Sequence, residues 1–141
     1  MKPVHILLVE DNEGDILLTT EALNESSFPT RVTVAKDGWE AIQYLQIADT
    51  NCKELPELIL LDINMPKMNG HEVLKKIKTN EKTKHIPVIM LSTSFAKNDI
   101  LLSYQNFVSC YLLKPIELNG FQQVISSIED FWIRMVKLPN C

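Results

Sequence analysis

The chain has 141 residues, a hydrophobic fraction of 45% and a formal net charge of −4 at pH 7. That length predicts one domain, residues 1–141, with a single core between layers, and the acidic balance argues against general affinity for nucleic acid or an anionic membrane. No apolar run is long enough to span a bilayer, and Met1-Lys2-Pro3 leads into a strand without the zones of a signal peptide.

Val4–Val9 is apolar except for His5 and reads as a strand buried on both faces, as in parallel sheets. Glu13 and Asp15 favour the start of a helix that carries Ile16, Leu17, Thr20 and Leu23 at helical spacing. Ser26-Ser27-Phe28-Pro29 ends it. Thr30–Ala35 alternates and is β-branched, predicting a second strand, and Asp37-Gly38 turns the chain into a helix over Trp39–Ala48. Asp49–Pro56 is a polar loop. Leu58–Leu61 is the third strand, and the loop Asp62–Gly70 precedes a helix through Val73, Leu74 and Ile77. Pro87–Leu91, Ala96–Phe107 and Val108–Leu113 predict strand four, helix four and strand five. A last helix runs from Glu117 to about Val136 within an extended tail covering residues 117–141. The alternation βαβαβαβαβα implies a parallel sheet with helices on both faces.

Three cysteines, Cys52, Cys110 and Cys141, are too widely spaced for a disulfide framework or a zinc site and fit a reducing cytoplasm. Cys110 falls in strand five as a small core residue; Cys52 and Cys141 are expected at the surface. His5, His71 and His85 lack metal-ligand spacing.

Polar residues follow four of the apolar runs. They are Glu10-Asp11, Asp62, Ser92 and Lys114, the last before Pro115. In a parallel sheet these strand ends share the carboxyl edge, where ligands bind. Adjacent carboxylates at Glu10 and Asp11, with Asp62 beside them, suit a hard divalent cation such as magnesium, which keeps waters and uses few protein carboxylates. Without a cation or an ammonium the three would repel one another. Asp62 can also act as a nucleophile towards phosphorus. Ser92 can donate to a phosphoryl oxygen, and Lys114 can pair with Asp62 or with the phosphoryl group. Taken singly, each residue has a plainer explanation: an acidic helix start, a turn, a Ser/Thr turn, a solvated lysine. Only the combination is specific.

The motifs Leu7-Leu8-Val9-Glu10-Asp11-Asn12, Leu60-Leu61-Asp62-Ile63-Asn64-Met65-Pro66-Lys67-Met68-Asn69-Gly70, Pro87-Val88-Ile89-Met90-Leu91-Ser92 and Tyr111-Leu112-Leu113-Lys114-Pro115 recur in the order found in response-regulator receiver domains, and the chain resembles that family over nearly its whole length. The resemblance implies a flavodoxin-like, doubly wound five-stranded parallel sheet of order 2-1-3-4-5. It implies a phosphoacceptor rather than an enzyme in the ordinary sense: Asp62 takes a phosphoryl group from a sensor histidine kinase in a magnesium-dependent reaction. Glu10, Asp11, Asp62 and the backbone carbonyl of Asn64 form the metal site. Ser92 is the switch hydroxyl, Tyr111 the switch aromatic, and Lys114 the phosphoryl contact, joined to Pro115 by a cis peptide bond. Glu10, Ser92 and Asn69 stand where many receivers have Asp, Thr and Asp.

The long Asp49–Pro56 insertion, with Ser127-Ile128-Glu129-Asp130-Phe131-Trp132 and Val136-Lys137-Leu138-Pro139, resembles the single-domain regulators encoded beside bacterial phytochromes. That narrower likeness makes a phytochrome-type light sensor a candidate kinase and implies homodimerisation through the last helix. Phe131, Trp132, Met135 and Val136 are expected to extend beyond the sheet. With no output domain expected after Cys141, signalling would pass through protein–protein contacts or by onward phosphate transfer.

Two other activities fit less well. A phosphohydrolase with an aspartate nucleophile would want a second Asp at position 64, where Asn64 cannot transfer a proton as a carboxylate does. A flavodoxin-like cofactor binder would want a glycine-rich phosphate loop after strand one, which is missing. A receiver that signals without phosphate would be expected to have lost Asp11, Asp62 or Lys114, and all three are present.

Overall fold

Strands form where β-branched and aliphatic residues run together, and helices where the apolar spacing lengthens. The structure, a computed structural model, describes residues 2–25, 28–48, 50, 54–115 and 117–139. In chain order they are β1 (Val4–Val9), α1 (Glu13–Asn24), β2 (Thr30–Ala35), α2 (Gly38–Ala48), β3 (Leu58–Leu61), α3 (Gly70–Thr79), β4 (Val88–Ser92), α4 (Lys97–Gln105), β5 (Cys110–Leu113) and α5 (Leu118–Ile128), followed by a π-helical segment, Glu129–Met135. All strand pairs are parallel, in the order β2-β1-β3-β4-β5. This is the expected flavodoxin-like, doubly wound arrangement. Ser26, Ser27, Asp49, Cys52 and Cys141, on which the first helix end, part of the polar loop and two surface thiols were placed, lie outside the described residues.

Apart from His5 in β1 and Ser92 at the end of β4, the inner strands are apolar because both faces are covered, and alternate side chains enter different cores. Leu7, Val9, Ile59, Leu61, Val88 and Met90 pack with Ala41 and Leu45 of α2 and Val73, Leu74 and Ile77 of α3. Ile6, Leu8, Leu58, Leu60, Ile89 and Leu91 pack with Leu23 of α1 and Phe121, Ile125 and Ile128 of α5. Each such side chain contributes roughly 1.5–3 kcal/mol on burial. The double core therefore fixes the strand ends rigidly.

His5 interrupts β1 and is nevertheless buried. Its Nδ1 lies 3.2 Å from the Arg31 guanidinium, and its Nε2 is 2.9 Å from Thr33 Oγ1 and 3.2 Å from Tyr44 Oη. Because Arg31 can only donate, Nδ1 is the acceptor and the neutral ring carries its proton on Nε2. Burial, reinforced by the Arg31 charge, lowers the pKa of this histidine.

Phe107 closes α4 in the left-handed region, φ 68°, with its N–H donating to Tyr104 O (3.0 Å). Its ring is exposed, so little packing offsets the strain of an L residue there. Phe107→Gly is expected to raise stability by about 0.5–1 kcal/mol, read from the urea midpoint.

Two expectations about the last third of the chain change. Strand five begins at Cys110 rather than Val108, and Cys110 itself is half-buried against the α1/α5 core, where burial pushes its thiol pKa up. The last helix is not one α-helix to Val136. After Ile128 the turns widen, and Val136 N–H donates to Phe131 O at 2.9 Å, an i to i−5 bond. Trp132 and Ile133 fold back onto the core, while Phe131 and Met135 stand exposed.

Candidate functional site

Val9 lies opposite Leu61 in the β1–β3 ladder, so the next residues, Glu10 and Asp62, emerge side by side. Their backbones are held by the sheet: Glu10 N–H donates to Ala35 O (3.0 Å) and Asp62 N–H to Val9 O (3.1 Å). One carboxylate oxygen from each of Glu10, Asp11 and Asp62 lies within 4.8 Å of the others. Glu10 is buried, the Asp62 side chain is only 11% exposed and Asp11 is exposed, so the group opens to solvent on the Asp11 side. Ser92 and Lys114 end β4 and β5 and are joined through the backbone, Lys114 N–H donating to Ser92 O at 2.7 Å.

The Lys114 side chain is only 8% exposed. Its ammonium reaches Glu10 Oε1 at 2.5 Å, Asp15 Oδ2 at 2.9 Å and Asp62 Oδ2 at 3.8 Å. Pairing with Asp62 was expected; Glu10 and Asp15 are the closer partners. Burial alone would lower the lysine pKa, but the three surrounding carboxylates outweigh it and raise the value. Burial, together with the neighbouring Asp62 carboxylate, pushes Glu10 up to about 8 against the pull of Lys114. Three carboxyl groups gathered this closely at strand ends form a site where a cation would favour the ionised forms. The donors are all hard oxygens, which fit magnesium, manganese or calcium rather than a soft metal.

The loop from Asp62 to Gly70 is tightly constrained. Ile63 N–H donates to Asp62 Oδ1 (2.8 Å), orienting the carboxylate, and Gly70 N–H donates to Ile63 O (2.8 Å). A Cβ on Gly70 would meet Asp62 O at 2.3 Å, so only glycine lets α3 start this close. Asn69 caps α3 by accepting from Glu72 N–H (3.1 Å), a role Asp would fill equally well. Asn64 sits exposed in the same loop, two residues past Asp62.

Ser92 is fully buried, and its Oγ accepts from Ser94 N–H at 3.1 Å. Tyr111 donates from its hydroxyl to Ser94 O at 2.9 Å and packs against the α2/α3 core. Ser94 Oγ in turn donates to Asp99 Oδ2 (2.6 Å), whose other oxygen meets His71 Nε2 (2.9 Å). The β4–α4 loop is thus tied to strand five and to α3. One expectation is overturned: no peptide bond among the described residues is cis, and Lys114–Pro115 is trans. Trans is the lower-energy form before proline by about 0.5–1 kcal/mol.

Asp15 is the site residue that sequence reasoning did not single out. It had been read only as an acid favouring the α1 start, and Asn12 Oδ1 does accept from its N–H at 2.9 Å. Its side chain, however, turns to Lys114.

Residues 6–126 match the family described as the response regulator receiver domain. The chain belongs to this family. The receiver is similar to Response regulator Rcp1 of Synechocystis sp., at 41% identity over 97% of the chain and 94% of Rcp1. The crystal structure of phosphorylated cyanobacterial phytochrome response regulator RcpA superposes with a TM-score of 0.93 at 43% identity, covering 99% of the receiver and 100% of RcpA. The Mn(2+)-bound form of Rcp1 superposes with a TM-score of 0.90 at 40% identity, covering 97% and 99% of the two chains. A probable methanogenesis regulatory protein, FilR2 of Methanothrix harundinacea, is 36% identical over 98% of the receiver and 89% of its own length. The receiver is therefore a two-component signalling protein, a class that takes phosphoryl groups from histidine kinases. No helix among its described residues is long and apolar enough to cross a membrane.

Proposed function

We propose that Asp62 is the phosphoacceptor of this receiver and that Glu10, Asp11, Asp62 and the Asn64 backbone carbonyl hold magnesium. The observation that carries this is the meeting of three carboxylates within 4.8 Å beside the Lys114 ammonium, at the ends of neighbouring strands. That the similar Rcp1 has an Mn(2+)-bound form supports the binding of a divalent ion. When bound, magnesium would neutralise charge on the transferring phosphoryl oxygens.

An Asp62 carboxylate oxygen forms the new O–P bond as the P–N bond to the donor histidine breaks and the imidazole leaves with the electron pair. Ile63 N–H holds Asp62 Oδ1, which leaves Oδ2, on the Lys114 side, to attack. Lys114 then pairs with the phosphoryl oxygens. The added group carries about −1.5 to −2 charges, and Ser92 turns its hydroxyl towards it. That movement takes away the acceptor of Ser94 N–H, and because Tyr111 is bonded to Ser94 O, the β4–α4 loop and strand five respond together.

Incubation with magnesium and a small phosphodonor is expected to add one phosphoryl group, seen by intact mass, and Asp62→Asn is expected to abolish the addition. Equal labelling of both proteins would refute the assignment.

The kinase partner we propose is a sensor histidine kinase of the phytochrome type, in the cytoplasm, in view of the likeness to RcpA and Rcp1. The exposed Phe131 and Met135 beyond α5 favour a homodimer through this region. Sedimentation is expected to show a dimer; a monomer both with and without a beryllium fluoride phosphoryl mimic would exclude it.

A further inference from the structure

We propose that Asp15 is a positioning residue that keeps the Lys114 ammonium fixed and charge-compensated once a divalent cation engages Glu10 and Asp62. The inference rests on the metal site proposed above. Lys114 has three carboxylate neighbours, Glu10, Asp15 and Asp62. Two of them belong to the acidic group that would hold the cation, and Asp15 stands outside it.

A cation on Glu10 and Asp62 withdraws their negative charge from the lysine and adds a repelling positive charge nearby. An ammonium only 8% exposed cannot turn to water for replacement. Asp15, at 2.9 Å, is the partner that remains. An ammonium has three N–H donors. With Asp15 holding one of them, Lys114 stays beside Asp62, whose Oδ2 at 3.8 Å lies beyond hydrogen-bond range and leaves room for an incoming oxygen. Asp15 is itself anchored, because Asn12 caps its N–H in the first turn of α1. A simple helix-start acid would do nothing that depends on Lys114.

The test is a calorimetric magnesium titration of the full chain in a double-mutant cycle. Asp15→Asn is expected to weaken magnesium binding about tenfold when Lys114 is present. In a Lys114→Met background the same change is expected to cost less than about twofold, because the ammonium that needs compensation is gone. Asp15→Glu, which keeps the charge, is expected to retain most of the affinity and provides a second route through the cycle. An equal loss in both backgrounds would mean that Asp15 simply attracts the cation through space and would overturn the proposal. So would unchanged affinity in Asp15→Asn. Absence of magnesium binding by the unaltered chain would overturn the metal site itself and the proposal with it, whereas normal binding without phosphorylation would refute only the phosphoacceptor assignment.

Discussion

Gly70→Ala will lower stability by on the order of 3 kcal/mol and displace the Asp62 carboxylate. The added Cβ would sit 2.3 Å from Asp62 O and 2.7 Å from Ile63 Cα. Both obstacles are backbone, so no flexible side-chain end can give way. Relief requires α3 to retreat or the chain at Asp62–Ile63 to shift, and either breaks the Gly70 N–H to Ile63 O bond. Gly14 is the useful contrast: its nearest contact is the Asn12 side-chain oxygen at 3.2 Å. Gly14→Ala should therefore stay within about 1 kcal/mol of the parent, helix propensity offsetting the closer contact. Urea unfolding of both variants checks the pair, and labelling by a small phosphodonor reads the displacement of Asp62. A Gly70→Ala protein within about 0.5 kcal/mol of the parent would show that the loop is looser than its geometry implies.

In chelator, the protein will become less stable as pH rises towards 8. Glu10 is held at about 8 in the folded chain against 4.5 ordinarily. Across that window the folded state binds the proton more tightly than the unfolded one, so its stabilisation is complete below 4.5 and is lost as pH climbs towards 8, on the order of 5 kcal/mol in all. Lys114, whose pKa is raised, keeps its proton throughout and adds no slope there. His5 slopes the other way. Its lowered pKa means that stability is lost as pH falls below 6.5, so the two effects oppose each other in mild acid and Glu10 acts alone above it. Magnesium needs the Glu10 carboxylate ionised. Its affinity should therefore weaken towards acid by up to about tenfold per pH unit below 8, with a proton released on binding. Thermal melts between pH 6.5 and 8, with chelator and with magnesium, decide this: a flat or rising curve in chelator would contradict it.

The sheet was legible because strands buried on both faces announce themselves as unbroken aliphatic runs, and parallel pairing then follows from the helices between them. The convergence of Glu10, Asp11, Asp62 and Lys114 followed from strand ends alone, whereas the Ser92 hydroxyl is buried and turned to Ser94 N–H. Helix faces were less legible. Trp39 has helical spacing yet is about half exposed, while Ala41 and Ala48 are buried beside Leu45: size alone does not signal burial. Asp15 was invisible for a different reason. A first-turn acid is well explained by the helix dipole, and only the packing of α1 beside the end of β5 reveals a partner 99 positions away. The proton carried by His5 likewise depends on Arg31, Thr33 and Tyr44, which arrive from β2 and α2.

The widened turns at Glu129–Met135 separate two mechanically distinct parts of one chain. Phe121, Ile125 and Ile128 lock α5 to the sheet in register with the strand ends. A π-helical turn accommodates an extra residue relative to an α-helix, so one residue gained or lost there rotates Phe131 and Met135 about the axis without disturbing the locked part. Small insertions or deletions in this segment would therefore re-aim the exposed Phe131 and Met135 while the geometry of the strand ends stays constant.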